Sequence, residues 1–429
     1  MVYPEKARSV DAIRPGGTIR AIKPVLRELM LDTDRGKFTR DGFLILRELV
    51  PHEQLSSLRA TYDVLTERQK QVLCSKPGSG PKSKWETNAQ PRIVSTETLI
   101  DHETSNAVEV WVSDPILAVA QALLASPNFG VSAMQVLCNP SFEAGPAKWH
   151  RDIHPIDMGP MQLQQEAVIE NGPTYIQFNI PLYDDDVLWV VPGSHVRLNT
   201  ANENERLNGS ARIPLSGGVP VELRAGDGVV YNNHLLHWGS NYTAQTKRRT
   251  LHGGYTIFPG WEDIGFSNVL SAKSCGLFES WTDRTRQLKD ATESCLRAVQ
   301  QADESAYLLG LEFLQPRIGP AGVRQLTIWL CKAAMHVYLL KSARVEDVEN
   351  GIFNKATVSH PISLNWGPGF AERFSAVDAD AIWRRFGKLD QLLRTANGTD
   401  YVPGYQSGPI TYFIESIDDR FCLSELFPT

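Results

Sequence analysis

Apolar residues recur every three or four positions through HEQLSSLRATYDVLTERQKQVL, the stretch after Pro51, and again through residues 104–127. That spacing lays one apolar stripe along a helix, so the first hundred or so residues are predicted to be largely helical. Between these stretches lies CSKPGSGPKSKWETNAQPR, residues 74–92. Its Gly, Pro, Ser and Lys break either period and predict a loop, with the length of an active-site lid or of a plain surface linker. From 130 to 258 the texture changes to short β-rich runs: GVSAMQVLC, TYIQFNIPLY, LWVVPG, VPVELRAGDGVVYNN and RRTLHGGYTIF. Short strands separated by Gly, Pro, Asn and Asp predict an antiparallel sandwich or barrel. Past Pro259 the helical period returns in WTDRTRQLKDATESCLRAVQQA and VRQLTIWLCKAAMHVYLLKSA. The outline is α+β: a helical region over 1–128, a β core over 129–260 and a mostly helical extension over 261–429.

Composition narrows the classes. The chain has 429 residues, 42% of them hydrophobic, which is enough to bury a sizeable core. Its formal net charge is −6, so no basic surface is available to track a phosphate backbone, and nucleic acid is not the expected partner. The six cysteines, Cys74, Cys138, Cys275, Cys295, Cys331 and Cys422, form no C-x-x-C pair and no zinc-like spacing. They read as small buried apolar residues in a reducing compartment. The opening MVYPEKARSV lacks the apolar run of a secretory leader, and no stretch nears the roughly 18 apolar residues of a membrane span. The expectation is a cytoplasmic protein with no membrane partner.

Chemistry concentrates in KWHRDIHP, residues 148–155. His150 and Asp152 are two apart, so on an extended segment both side chains share a face. A third ligand from another strand would make a 2-His-1-carboxylate facial triad. Such a triad suits non-haem Fe(II) with open positions, and a zinc hydrolase uses the same ligand types. Alone, H-x-D is a weak signal; most are surface turns or hydrogen-bonded pairs. RAGDGVVYNNHLLHWGSN, residues 224–241, offers the partner in His234 or His237. Three apart on a strand, these two face opposite ways, and His237 stands where a Trp-Gly-Ser-Asn turn lets the strand end. Next comes TKRRTLHGGYTIF, whose strand is expected to run alongside that of His237. Arg248 or Arg249 could then grip a carboxylate through two parallel hydrogen bonds, although a solvated basic turn is the plainer reading.

With these residues the sequence resembles the phytanoyl-CoA dioxygenase family of Fe(II)/2-oxoglutarate-dependent oxygenases. Four elements match in order: His150-x-Asp152; a strand leading into PGSH at 192–195; Gly226-Asp227 followed by a β run and His237-x-Gly239-x-Asn241; and Arg248, eleven positions after His237. The resemblance implies a double-stranded β-helix, or jelly roll, with flanking helices. It assigns His150, Asp152 and His237 to Fe(II) and Arg248 to the distal carboxylate of 2-oxoglutarate, with Arg249 as the fallback. It brings Gln135 and Thr250 to the co-substrate, has Ser240 and Asn241 shape the turn below the site, and leaves His195 a structural role. The implied activity is oxidation by O2, most simply hydroxylation, of an unactivated C–H bond in a small-molecule substrate, in a biosynthetic setting. Because Asp152 is present, halogenation is disfavoured: related halogenases have a small residue there. Trp85, Lys84, Arg151, His154 and Trp189 are expected near the substrate. The extension is expected to buttress the core, line the pocket or form a homodimer interface. Two rivals use the same scaffold: a metal-dependent hydrolase and a non-catalytic jelly-roll binding protein.

Overall fold

The computed structural model describes residues 32–74, 85–95, 99–124, 126–152, 161–262, 264–342, 368–394, 400–401, 409–410, 423 and 426–427. The elements preceding the core are helix α1 (Asp32–Asp41), strand β1 (Phe43–Leu46), α2 (His52–Cys74), β2 (Arg92–Val94) and α3 (Asp114–Leu124). Those of the core are β3 (Gly130–Cys138), α4 (Met161–Asn171), β4 (Tyr175–Pro181), β5 (Leu188–Val190), α5 (Ala201–Gly209), β6 (Val219–Pro220), β7 (Gly228–Asn232), β8 (His237–Gly239) and β9 (Arg249–Thr256). The extension carries α6 (Ala272–Gln301), α7 (Glu304–Leu314), α8 (Pro320–Lys341) and α9 (Ala376–Arg394).

An antiparallel six-stranded sheet runs β1-β7-β4-β9-β3-β2, and a three-stranded one runs β6-β5-β8. The alternation of side chains along each strand divides the large sheet into two faces. On β4, Ile176, Phe178 and Ile180 enter the main core, while Tyr175, Gln177 and Asn179 line a cavity. On β9, Leu251 and Tyr255 enter the core, and His252 and Thr256 line the same cavity. Truncating Phe178, which has no exposed surface, would cost roughly 3–5 kcal/mol. A second apolar cluster joins the sheets, with Leu188 and Val190 of β5 packing on Val229 and Tyr231 of β7.

The helical expectation fails at two places before the core. FLIL at 43–46 and RIV at 92–94 are strands that edge the large sheet. Gly42 starts the first of them at φ 83°, and a Cβ there would lie 2.5 Å from the His195 ring, so only glycine fits. The expected all-β texture of the core is also interrupted by two helices, α4 and α5. The second has a legible start: Thr200 accepts from Glu203 N, and the Glu203 carboxylate accepts from Thr200 N, a capping box.

The extension is fastened to the core at the start of α8. Glu170, near the end of α4, accepts from the backbone N–H groups of Ala321 and Gly322, and Asn171 accepts from that of Gly319. The acid thus satisfies orphan donors at the helix's positive end. Farther along α8, buried Lys332 pairs with buried Asp390 of α9 at 2.9 Å. Among the described residues no single helix is long and apolar enough to cross a membrane. The bent pair Asn106–Val112 and Asp114–Leu124, which together reach that length, contributes Trp111, Ile116 and Val119 to the core.

Candidate metal centre

The chain segments that carry the three expected ligands are tied to one another through their backbones. His150 N donates to His237 O and His237 N donates to His150 O, both at 2.9 Å. A directly hydrogen-bonded pair puts the two side chains next to each other, and the ring centroids are 4.2 Å apart. Asp152 N donates to Asn233 O, and Asn233 Nδ2 returns a bond to Asp152 O at 3.0 Å. Ligand atoms of His150, Asp152 and His237 all lie within 4.8 Å of one another. His150 Nε2 is 3.5 Å from Asp152 Oδ1, and His237 Nε2 is 3.3 Å from Asp152 Oδ2. Donors about 2.1 Å from one ion and at right angles would be about 3 Å apart, so this spacing fits a shared cation.

Tautomers fit as well. His150 Nδ1 is 2.8 Å from Lys148 O, and His237 Nδ1 is 2.8 Å from Leu235 O. A carbonyl only accepts, so each Nδ1 carries a proton, and Nε2, turned toward Asp152, is the atom left to ligate a metal. Burial, aided by the neighbouring His237, pulls the His150 imidazolium down to about 4, so the ring is neutral near pH 7. Burial alone would raise the Asp152 carboxyl; His237 and His150 outweigh it and hold the group well below the usual carboxylate range. Gln177 steadies that carboxylate. Its Nε2 donates to Asp152 Oδ2 and to the Tyr231 hydroxyl, both at 2.6 Å, and its Oε1 accepts from Tyr175 at 3.1 Å.

The triad opens on a cavity of about 440 Å³, within the usual range for small-molecule sites. Arg248 lines it and Arg249 does not. Arg248 Nε donates to Asp185 Oδ2 at 2.7 Å, and Thr250 Oγ1 donates to the same oxygen at 2.6 Å. That clasp leaves Arg248 Nη1 buried with no hydrogen-bond partner, an orphan donor of the kind a ligand carboxylate would satisfy. The Thr250 hydroxyl is thus committed to Asp185. Arg249 turns to the other face and reaches Asn139 and Asp63. The expected strand pairing is corrected here: β9 lies in the large sheet and β8 in the small one, so Arg248 and His237 approach the cavity from different sheets. Gln135 lines the cavity beside Arg92, whose Nη1 is 3.4 Å from Gln135 Oε1.

Several expected substrate contacts lie elsewhere. Arg151 has no exposed surface and donates to Ser194 O, His234 O and Asn199 Oδ1, because alternation turns it away from its two neighbours. Trp85 is buried in the main core, and Trp189 packs edge-on to Trp238. Ser240 and exposed Asn241 lie outside the cavity onto which the triad opens. His195 is buried against Gly42, with Nε2 3.1 Å from Thr39 O. Lys84 and His154, with most of the predicted lid, fall outside the described residues.

Sequence reasoning missed Gln177, Asn179, Asp185, Arg92 and His252. Gln177 and Asn179 had a signal: two amides on one face of an otherwise apolar strand. Asp185 had none, since it stands in an Asp-Asp-Asp run that reads as solvated. His252 lies on the cavity face with Nδ1 2.8 Å from Asn179 Oδ1, and burial pulls it down to about 3.

Residues 38–250 match the family described as Phytanoyl-CoA dioxygenase (PhyH). Among solved structures the chain is similar to AviO1 from Streptomyces viridochromogenes Tue57, at 23% identity, over 53% of this chain and 95% of that one, with a TM-score of 0.37. It is similar to EctD from S. alaskensis, solved with 2-oxoglutarate and 5-hydroxyectoine, at 15% identity, over 53% and 77%, with a TM-score of 0.38. A third is SnoK, a non-heme alpha ketoglutarate dependent carbocyclase from nogalamycin biosynthesis, at 17% identity, over 53% and 85%, with a TM-score of 0.38. No curated protein matches the chain.

Proposed function

We propose that this chain, whose residues 38–250 match the phytanoyl-CoA dioxygenase family, is a non-haem iron, 2-oxoglutarate-dependent enzyme that hydroxylates an unactivated C–H bond of a small molecule in a biosynthetic pathway. His150, Asp152 and His237 hold Fe(II) in this reading, and Arg248 binds the distal carboxylate of 2-oxoglutarate through the nitrogen left without a partner. One observation carries it: three converging ligand atoms and an orphan buried guanidinium N–H share one cavity. A hydrolase would leave that guanidinium without a task. The two packed sheets are read as a double-stranded β-helix. The regions 1–128, 129–260 and 261–429 remain its proposed parts, with β1 and β2 counted into the core sheet.

Iron, when bound, supplies activation of O2 coupled to oxidative decarboxylation of 2-oxoglutarate. The balance is R–H + 2-oxoglutarate + O2 giving R–OH + succinate + CO2. The chain's residues orient and shield. Main-chain carbonyls hold both imidazoles in the ligating tautomer, Gln177 aims Asp152, and Asp185 aims Arg248. Gln135, with Arg92 beside it, lies close enough in the cavity to assist with the co-substrate. Thr250 assists indirectly, by sharing Asp185.

The test is anaerobic reconstitution with ferrous ion, then iron content and succinate release from 2-oxoglutarate under air during a substrate screen. One iron per chain and succinate formation are expected in the parent. Asp152→Ala should lose iron and more than about 100-fold of turnover, since a ligand matters more than the outer partners whose loss costs 10–100-fold. Turnover by that variant at the parental rate would falsify the assignment.

A further inference from the structure

The cavity has two ends, and strand register separates them. Along β9, Thr250 pairs with Leu137 and Pro181, His252 with Gln135 and Asn179, and Thr256 with Gly130 and Tyr175. Gln177, which holds Asp152, pairs with Gly254 between them. Arg248 therefore marks one end, the triad stands inward of it, and Thr256 marks the other. At that far end the lining includes Ser132, Tyr175, Phe258 and Trp329. Phe258 and Trp329 meet edge to face, with centroids 5.2 Å apart and planes at 69°. Both residues follow the segment 38–250, and Trp329 sits midway along α8. Close fastening of α8 to α4 fixes its place: a Cβ at Gly319 would lie 2.3 Å from Glu170, and one at Gly322 would lie 2.7 Å from Ile318 and 2.8 Å from Asn171.

We propose that the extension completes the substrate site, with Trp329 as a specificity-determining residue that selects substrates with a flat, cyclic apolar portion. This rests on the oxygenase reading, which leaves the end remote from Arg248 to the substrate. A rigid indole edged by a phenyl ring offers a flat wall at small entropic cost, and ring-on-ring packing favours a planar partner over a flexible chain. On the sheet side, the Tyr175 hydroxyl donates to Gln177 and the Thr256 hydroxyl accepts from Phe258 N, which leaves one acceptor and one donor for a polar group on the ring.

Equilibrium dialysis of 2-naphthol against the metal-free full chain tests this, with decan-1-ol, which carries no carboxylate for Arg248, as the flexible comparison. Saturable binding of 2-naphthol in preference to decan-1-ol is expected. Trp329→Ala should weaken it about tenfold or more, the loss typical of a buried aromatic anchor, and Trp329→Phe should stay within about threefold of the parent. Ser132→Phe, which narrows the same end from the sheet, should also weaken binding and serves if Trp329→Ala does not fold. The idea is overturned if the parent does not bind 2-naphthol, if decan-1-ol binds as well, or if the folded variants all bind like the parent. Iron content and succinate release of the parent report separately on the oxygenase reading.

Discussion

Two pairs of histidines meet in this fold, one around the Asp152 carboxylate and the other beside the Arg151 guanidinium. His150 and His237 flank Asp152, with Nδ1 on a main-chain carbonyl and Nε2 toward the carboxylate. His195 and His234 instead lie beside the buried guanidinium of Arg151, and each has a buried Nδ1 with no hydrogen-bond partner. The switch between them is one step of the backbone: in His150-Arg151-Asp152 the outer two residues meet the cavity and the middle one points the opposite way. Clustering of imidazoles does not by itself make a cation site. A neighbouring negative charge draws a cation in, and a neighbouring positive charge keeps it out.

The largest effect expected on this contrast comes from Arg151→Met. It strips charged hydrogen bonds from the carbonyls of Ser194 and His234 and from Asn199, and should destabilise the fold by about 3 kcal/mol. Iron binding by the molecules that remain folded should persist. Urea denaturation with parallel iron analysis checks both; loss of iron at full stability would break the contrast. Gln177→Leu acts on the other pair. It frees Asp152 Oδ2 and should weaken iron affinity about 10–100-fold, read by competition with a chelator, while the urea midpoint moves less than for Arg151→Met.

The smallest effect concerns pH. Burial, then the Arg151 charge, lowers His234 to about 3; burial is also the main cause that lowers His195 to about 4. Unfolded, each ring titrates near 6.5, so as pH falls below that value the unfolded chain takes up protons the folded one refuses. Stability is therefore full above about pH 6.5 and declines on acidification, by about 1.4 kcal/mol per pH unit for each histidine until its folded value is reached. Urea midpoints at about pH 7 and about pH 5.5 measure the slope. His195→Asn and His234→Asn should each flatten it by one histidine's share, and an unchanged slope in both would show that neither ring is held neutral.

Much of the site could be read because strands impose a period of two. His150 with Asp152, and the central strand YIQFNIP, both obey it. The short FLIL and RIV edge strands could not be read, because three or four apolar residues satisfy either period and only pairing with β7 and β3 settles them. The family resemblance put Arg248 ahead of Arg249, yet its clasp by Asp185 could not be read, since nothing in a run of three aspartates says which one folds inward.

The order of the motif residues, the faces they share along each strand and the glycines that turns require are properties of the chain alone, because they depend on local geometry. Tertiary structure decided the rest: that His237 crosses His150 through paired backbone bonds, that Asp185 is the acid that folds inward to Arg248, and that Trp329, nearly eighty residues beyond the matched segment, reaches the cavity. Such contacts depend on which surfaces exclude water together, and no period along the sequence records that.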